Sequence, residues 1–217
     1  MTYTALNESP LPRCRIYETG IAPLDRATGL GGLVRGGLSV LLSEDIPALY
    51  LLAGHLSYRV TRNQGASAFV TPSFRTLPAA TVRIASISPG ALLARNDHGC
   101  LEQLTILVQK NLDLVLFESP EDFDVEASVR QQFTSLMQRL FFSDTMALCL
   151  ADPAQARTSG TFANLALEWA RTVVHLECQR NGRGHLQSMT LGITQRGLRP
   201  FHSQVQLYPH TFTQGMT

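Results

Sequence analysis

The sequence predicts an α/β protein with a mostly parallel sheet, flanked by helices and closed by an antiparallel C-terminal extension. Three observations predict it. Short apolar runs such as Leu38–Leu42 and Leu112–Phe117 alternate with longer stretches whose apolar residues recur every three or four positions. The last third changes period around a glycine-rich turn, Gln179–Gly184. Of 217 residues, 44% are hydrophobic and 16% charged, which describes one well-packed globular core and excludes a disordered chain.

The elements follow in order. Residues 1–15 are polar and proline-containing and read as a flexible arm, with residues 16–210 as a single domain and 211–217 as a tail. Ser39–Leu42 is the first strand. Ile46–Gln64 is a helix, because Leu49, Leu52, Ala53, Leu56 and Val60 share one face. Ala66–Thr71 is a strand ended by Pro72, and Val82–Ser86 a short strand ended by Pro89. Ala91–Lys110 reads as helical around a break at Gly99. Leu112–Phe117 is a buried strand, and Ala127–Ser143 an amphipathic helix with Phe133, Leu136, Met137 and Leu140 on one face. Thr145–Leu150, Arg171–Cys178, His185–Thr194 and Gln204–Tyr208 complete the strands, the segment Asp152–Thr161 being a loop.

Composition removes several function classes. A formal charge of +1 gives no global attraction to nucleic acid or membrane. No apolar run approaches the roughly 18 residues of a membrane span. The N-terminus lacks the apolar stretch of a secretory signal, so a cytoplasmic location is expected. The four cysteines, at 14, 100, 149 and 178, show no CxxC spacing, and Cys149 and Cys178 lie in apolar runs. None of the six histidines has a Cys or Asp at metal spacing, so no metal is expected. Ser119 lacks the flanking glycines of a hydrolase nucleophile.

The segment Thr19–Leu52 carries the most information. Thr19-Gly20-Ile21, Leu24-Asp25, Gly31-Gly32-Leu33 and Gly36-Gly37 lead into the run Leu38–Leu42. This resembles the approach to the phosphate-binding loop in the RecA/RadA/KaiC group of ATPases, and the resemblance extends over roughly residues 16–208. That loop reads G-x-x-x-x-G-K-[S/T], its glycines and Lys binding phosphates and its hydroxyl binding Mg²⁺. Here it reads Ser43-Glu44-Asp45-Ile46-Pro47-Ala48-Leu49-Tyr50. Both glycines, the Lys and the hydroxyl residue are replaced, by Ser43, Ala48, Leu49 and Tyr50. Glu44 and Asp45 add negative charge, and Pro47 removes an N–H donor. Lys110 is the single lysine, so none lies near the segment to substitute.

The resemblance implies three further stations. A catalytic Glu belongs after the second strand, where this chain has Thr71-Pro72-Ser73-Phe74. A Walker B carboxylate belongs at the end of Leu112–Phe117, where Glu118 keeps the charge. A Lys-x-Arg pair belongs near the C-terminus, where Thr194-Gln195-Arg196 keeps only the arginine. Ser43, Glu44, Asp45, Pro47, Ala48, Leu49, Tyr50, Glu118 and Arg196 thus form a vestigial nucleotide site. The concurrent losses at these stations, set against the resemblance, lead to the expectation of a fold without ATP hydrolysis, cofactor or metal.

Function then falls to surfaces. Arg157 in the Asp152–Thr161 loop, Arg180 and Arg183 in the hairpin, and Arg171, Arg196 and Arg199 are candidate contacts to DNA or a partner. They are expected to gather on one side, without interleaved aromatic residues to stack bases. The acidic run Glu118–Glu126 is a solvated loop that repels nucleic acid or docks on a basic partner. The implied role is a non-catalytic, oligomeric accessory subunit in DNA recombination or repair, partnered by a RecA-like or DNA-repair protein. A regulatory interaction module of the same fold, resembling the cell-division inhibitor SulA or the mutasome protein ImuA, is the alternative. A weak nucleotide-binding sensor is the third.

Overall fold

A computed structural model describes residues 16–70, 97–110, 112–119, 125–196 and 201–208. The expected arm, the Val82–Ser86 strand, the Thr71–Phe74 station, Arg199, the C-terminal tail and the middle of the acidic run lie outside the described residues. The described chain runs β1 (Ile16–Tyr17), α1 (Ala22–Ala27), β2 (Leu33–Val34), β3 (Gly37–Leu42) and α2 (Ile46–Arg62). It continues through β4 (Ser67–Val70), α3 (Asp97–Gln109), β5 (Leu114–Glu118), α4 (Ala127–Phe141) and β6 (Met146–Ala151). Then come α5 (Pro153–Arg157), α6 (Phe162–Trp169), β7 (Thr172–Arg180), β8 (Leu186–Gln195) and β9 (Phe201–Leu207).

Seven strands form one sheet in the order β4-β5-β6-β3-β7-β8-β9. The first five are parallel and the last two antiparallel, as the sequence predicts. Strand alternation divides the core in two. Leu38, Val40 and Leu42 face α3, α4 and α6, where Phe133 and Phe162 meet edge to face at 5.2 Å. Leu41, Leu148, Leu150 and Val174 face α2 through Leu49, Leu52 and Leu56. Both strand faces are covered, so the central strands read as apolar runs rather than alternating ones.

Two local expectations are corrected. Helix α3 runs unbroken through Gly99, since a glycine weakens a helix without ending it. The expected loop Asp152–Thr161 contains a one-turn helix, α5, with Asp152 accepting the Ala154 N–H at 2.6 Å. Thr161 then caps α6 through the Asn164 N–H at 3.1 Å. The glycine-rich lead-in also has structural work. It forms α1 and the small β1–β2 ribbon, in which a side chain on Gly32 would run into the Tyr17 carbonyl.

Candidate functional site

The five parallel strands end on one edge of the sheet, and the β3–α2 connection lies there at its centre. At that edge open α/β sheets bind ligands. Ser43 starts the connection. Its Oγ donates to the Leu176 carbonyl of β7 at 2.8 Å and accepts the Asp45 N–H at 3.0 Å. Asp45 caps α2, accepting the Ala48 N–H at 3.1 Å, and Pro47 sits in the first turn, where a missing N–H costs little.

The Asp45 carboxylate has a second partner. Arg180, the last residue of β7, grips it with Nε at 2.7 Å and Nη2 at 2.8 Å. Its remaining Nη1 donates to the Gly184 carbonyl at 2.7 Å, which locks the β7–β8 turn. The Arg180 hydrogen bond outweighs burial and holds the Asp45 carboxyl below the usual carboxylate range. Cys178 lies beside them, and burial pushes its thiol up to about 11, so it is no nucleophile at neutral pH.

Ala48, Leu49 and Tyr50 turn inward and are buried in the core under the sheet. The Tyr50 hydroxyl donates to Glu118 Oε1 at 2.6 Å, and its ring meets Phe69 edge-on at 5.9 Å. Tyr50 and Glu118 were expected at the hydroxyl and carboxylate stations, and the fold brings them into direct contact. A cavity of about 100 Å³ beside them has room for a few waters and none for a nucleoside phosphate. The neighbouring open cleft, about 790 Å³, is lined by Glu44, Asp45, Glu177, Arg157 and Arg180 among others, so its charges nearly cancel.

The arginines do not form one patch, contrary to expectation. Arg157 and Arg180 line the cleft, and Arg183 is exposed at the β7–β8 turn. Arg171 precedes β7 at the opposite edge of the sheet. Its backbone N–H donates to Leu38 O at 2.8 Å, and its carbonyl accepts the Arg196 N–H at 2.7 Å. Nine extended residues of β7 separate the groups by roughly 30 Å. The Arg196 Nη1 donates to the Leu167 carbonyl at 2.7 Å, so within one chain it is remote from Asp45.

The expected lack of aromatic neighbours is also corrected. The Arg171 side chain crosses Gly37, where a Cβ would meet its Cδ at 2.9 Å, and its guanidinium stacks 4.9 Å over the Phe141 ring. Phe142, edge-on to Phe141, is 83% exposed. Phe141 is thirty residues from Arg171 in sequence, so only the adjacency of β6, β3 and β7 reveals the contact. The sequence shows Asp45 only as a negative charge in the loop; its capping of α2 and its pairing with a residue 135 positions away come from the fold.

Among the described residues no group of His, Cys, Asp and Glu is arranged to hold a metal ion, and no helix is long and apolar enough to cross a membrane. No protein-family model matches the chain. It is similar to Protein RecA of Bifidobacterium breve and to Protein RecA of Bifidobacterium longum, 23% identical to each over 166 residues. The match covers 73% of this chain and 42% of each relative, so the chain spans less than half the length of the curated proteins it matches. A mostly parallel sheet with an antiparallel C-terminal end fits a RecA-like fold.

Proposed function

We propose that this chain is a RecA-like protein without ATP hydrolysis, acting in the cytoplasm as an assembly or accessory subunit in DNA recombination or repair. The similarity to RecA supports the setting. The observation that carries the loss of catalysis is the occupied N-terminus of α2. Asp45 takes the donors that a phosphate needs, while Leu49 and Tyr50 lie in the core. Phosphoryl transfer depends on cations positioned around the transferred group. A triphosphate here meets an exposed Glu44 and an Asp45 already paired with Arg180, with no lysine at the start of α2 to hold its β- and γ-phosphates.

The test is Mg²⁺-ATP hydrolysis and a binding titration on the purified chain. No phosphate release above the buffer rate and no saturation are expected. Stoichiometric Mg²⁺-dependent turnover, or saturable micromolar binding, would overturn the reading. A second reading, a regulatory protein-interaction module of the same fold, is favoured by exposed Phe142 beside the Phe141–Arg171 stack. Aromatic and arginine side chains dominate protein interfaces. Salt-dependent oligonucleotide binding would support the first reading, and co-purification with one protein partner without DNA affinity the second.

A further inference from the structure

The cavity of about 100 Å³ beside Tyr50, where β5 and β6 end, has a polar wall and an apolar one. Glu118, Ser119, Asp152 and Gln155 form the first, and Leu49 and Leu150 contribute to the second. Among the described residues that line it none is cationic, while Glu118 and Asp152 each bring a carboxylate. One Asp152 oxygen accepts the Ala154 N–H at 2.6 Å, and Glu118 Oε1 accepts the Tyr50 hydroxyl at 2.6 Å. Ser119 is an independent pointer to a ligand. The residue is only 5% exposed, and its Oγ has no hydrogen-bond partner. Its backbone N–H is held by Leu150 O at 2.8 Å, which fixes it at the cavity wall. A buried hydroxyl left unpaired is costly, and a bound donor removes that cost.

We infer that this cavity binds a primary ammonium group, held by the Ser119 hydroxyl and the carboxylates of Glu118 and Asp152, with its carbon against Leu49 and Leu150. An ammonium has three N–H donors and no acceptor, which suits a wall of oxygens carrying negative charge. The volume is that of roughly three waters, enough for one such group and its first carbon. A divalent metal is the poorer match. Mg²⁺ and Ca²⁺ take six or more oxygen ligands, and among the described residues no third His, Cys, Asp or Glu joins the two carboxylates. The group belongs either to a free small amine or to the tip of a partner's lysine; the chemistry of the cavity is the same for both. The inference goes beyond the proposed function and requires neither DNA nor nucleotide.

The experiment titrates the purified full chain with methylammonium chloride at constant ionic strength and reads the melting temperature. Tetramethylammonium chloride makes up the balance, since it carries the same charge without an N–H. A saturable rise of about 3 °C is expected. Nα-Acetyl-lysine amide is titrated in parallel. Saturation by it at a lower concentration than by methylammonium assigns the site to a protein side chain, and the reverse order to a free amine. Ser119→Ala and Asp152→Asn should each raise the half-saturating concentration about tenfold, the second while still capping α5. The absence of a saturable shift with either amine overturns the inference. So does an unchanged half-saturation in either folded variant, or saturation by Mg²⁺ at a lower concentration than by both amines. Should one variant fail to fold, the other decides. ATP binding by the unaltered chain sinks the proposed function alone, because the amine titrations are read without nucleotide.

Discussion

Asp45 does three things with one side chain: it caps α2, binds Arg180 and places negative charge where the resemblance implies phosphate. Its pair with Arg180 is partly exposed, with side-chain exposures of 18% and 37%, so solvent screens it. Arg180→Ala should cost about 1 kcal/mol in urea denaturation. The pH dependence has a definite sign. The folded-state pKa of Asp45 lies below 3.8, so the stabilisation is present above the unfolded value and disappears as pH falls through the folded one. In Arg180→Ala the loss of stability as pH falls through and below the ordinary carboxylate range should be shallower. His55 works in the other range. It is buried, and desolvation, then Arg59, hold it below the usual imidazole value, against the weaker opposite pulls of Thr19 and Asp25. The unfolded chain then takes up the proton first, and stability falls as pH drops below 6.5. His55→Gln should flatten the denaturation midpoint between about pH 7 and pH 5, whatever its effect at neutral pH.

At the scale of elements, the glycines act on packing. Gly32 has φ +156°, and a Cβ there collides with the Tyr17 carbonyl of the neighbouring strand. Gly32→Ala should therefore separate β1 from β2 and cost about 2–4 kcal/mol by thermal or chemical denaturation. A smaller loss, with the ribbon intact, would show that the backbone absorbs the methyl group. Helix α4 depends instead on its apolar stripe, and Phe133 is fully buried against Phe162. Phe133→Ala should cost about 3–5 kcal/mol, since a cavity remains in a site closed on all sides.

Across the whole molecule, charge is arranged by strand polarity. The edge where the parallel strands end carries Glu44, Asp45 and Glu118 with Arg157, Arg180 and Arg183; Arg171 and Arg196 lie at the other. An oligonucleotide of only a few nucleotides reaches one group at a time, because the length of β7, roughly 30 Å, separates them. Of the pairs Arg157→Ala/Arg183→Ala and Arg171→Ala/Arg196→Ala, one should reduce the salt dependence of binding to a labelled oligonucleotide, and the other leave it unchanged. Equal effects from both would contradict this separation.

The sequence by itself determined what local periodicity and turn chemistry can encode. Apolar runs, helical spacing and the Gln179–Gly184 turn specify a mostly parallel sheet with an antiparallel end, and the missing Lys and glycines of residues 43–50 are visible in one line of text. The short elements α1, β1, β2 and α5 were not legible there, because one or two turns leave no periodic signal. Tertiary structure decided the rest. Only the strand order brings Arg180 to Asp45, Tyr50 to Glu118 and Arg171 to Phe141, contacts between residues 135, 68 and 30 positions apart. The folded chain joins Asp45 both to the first turn of α2 and to Arg180, because such a contact is made by elements meeting in space.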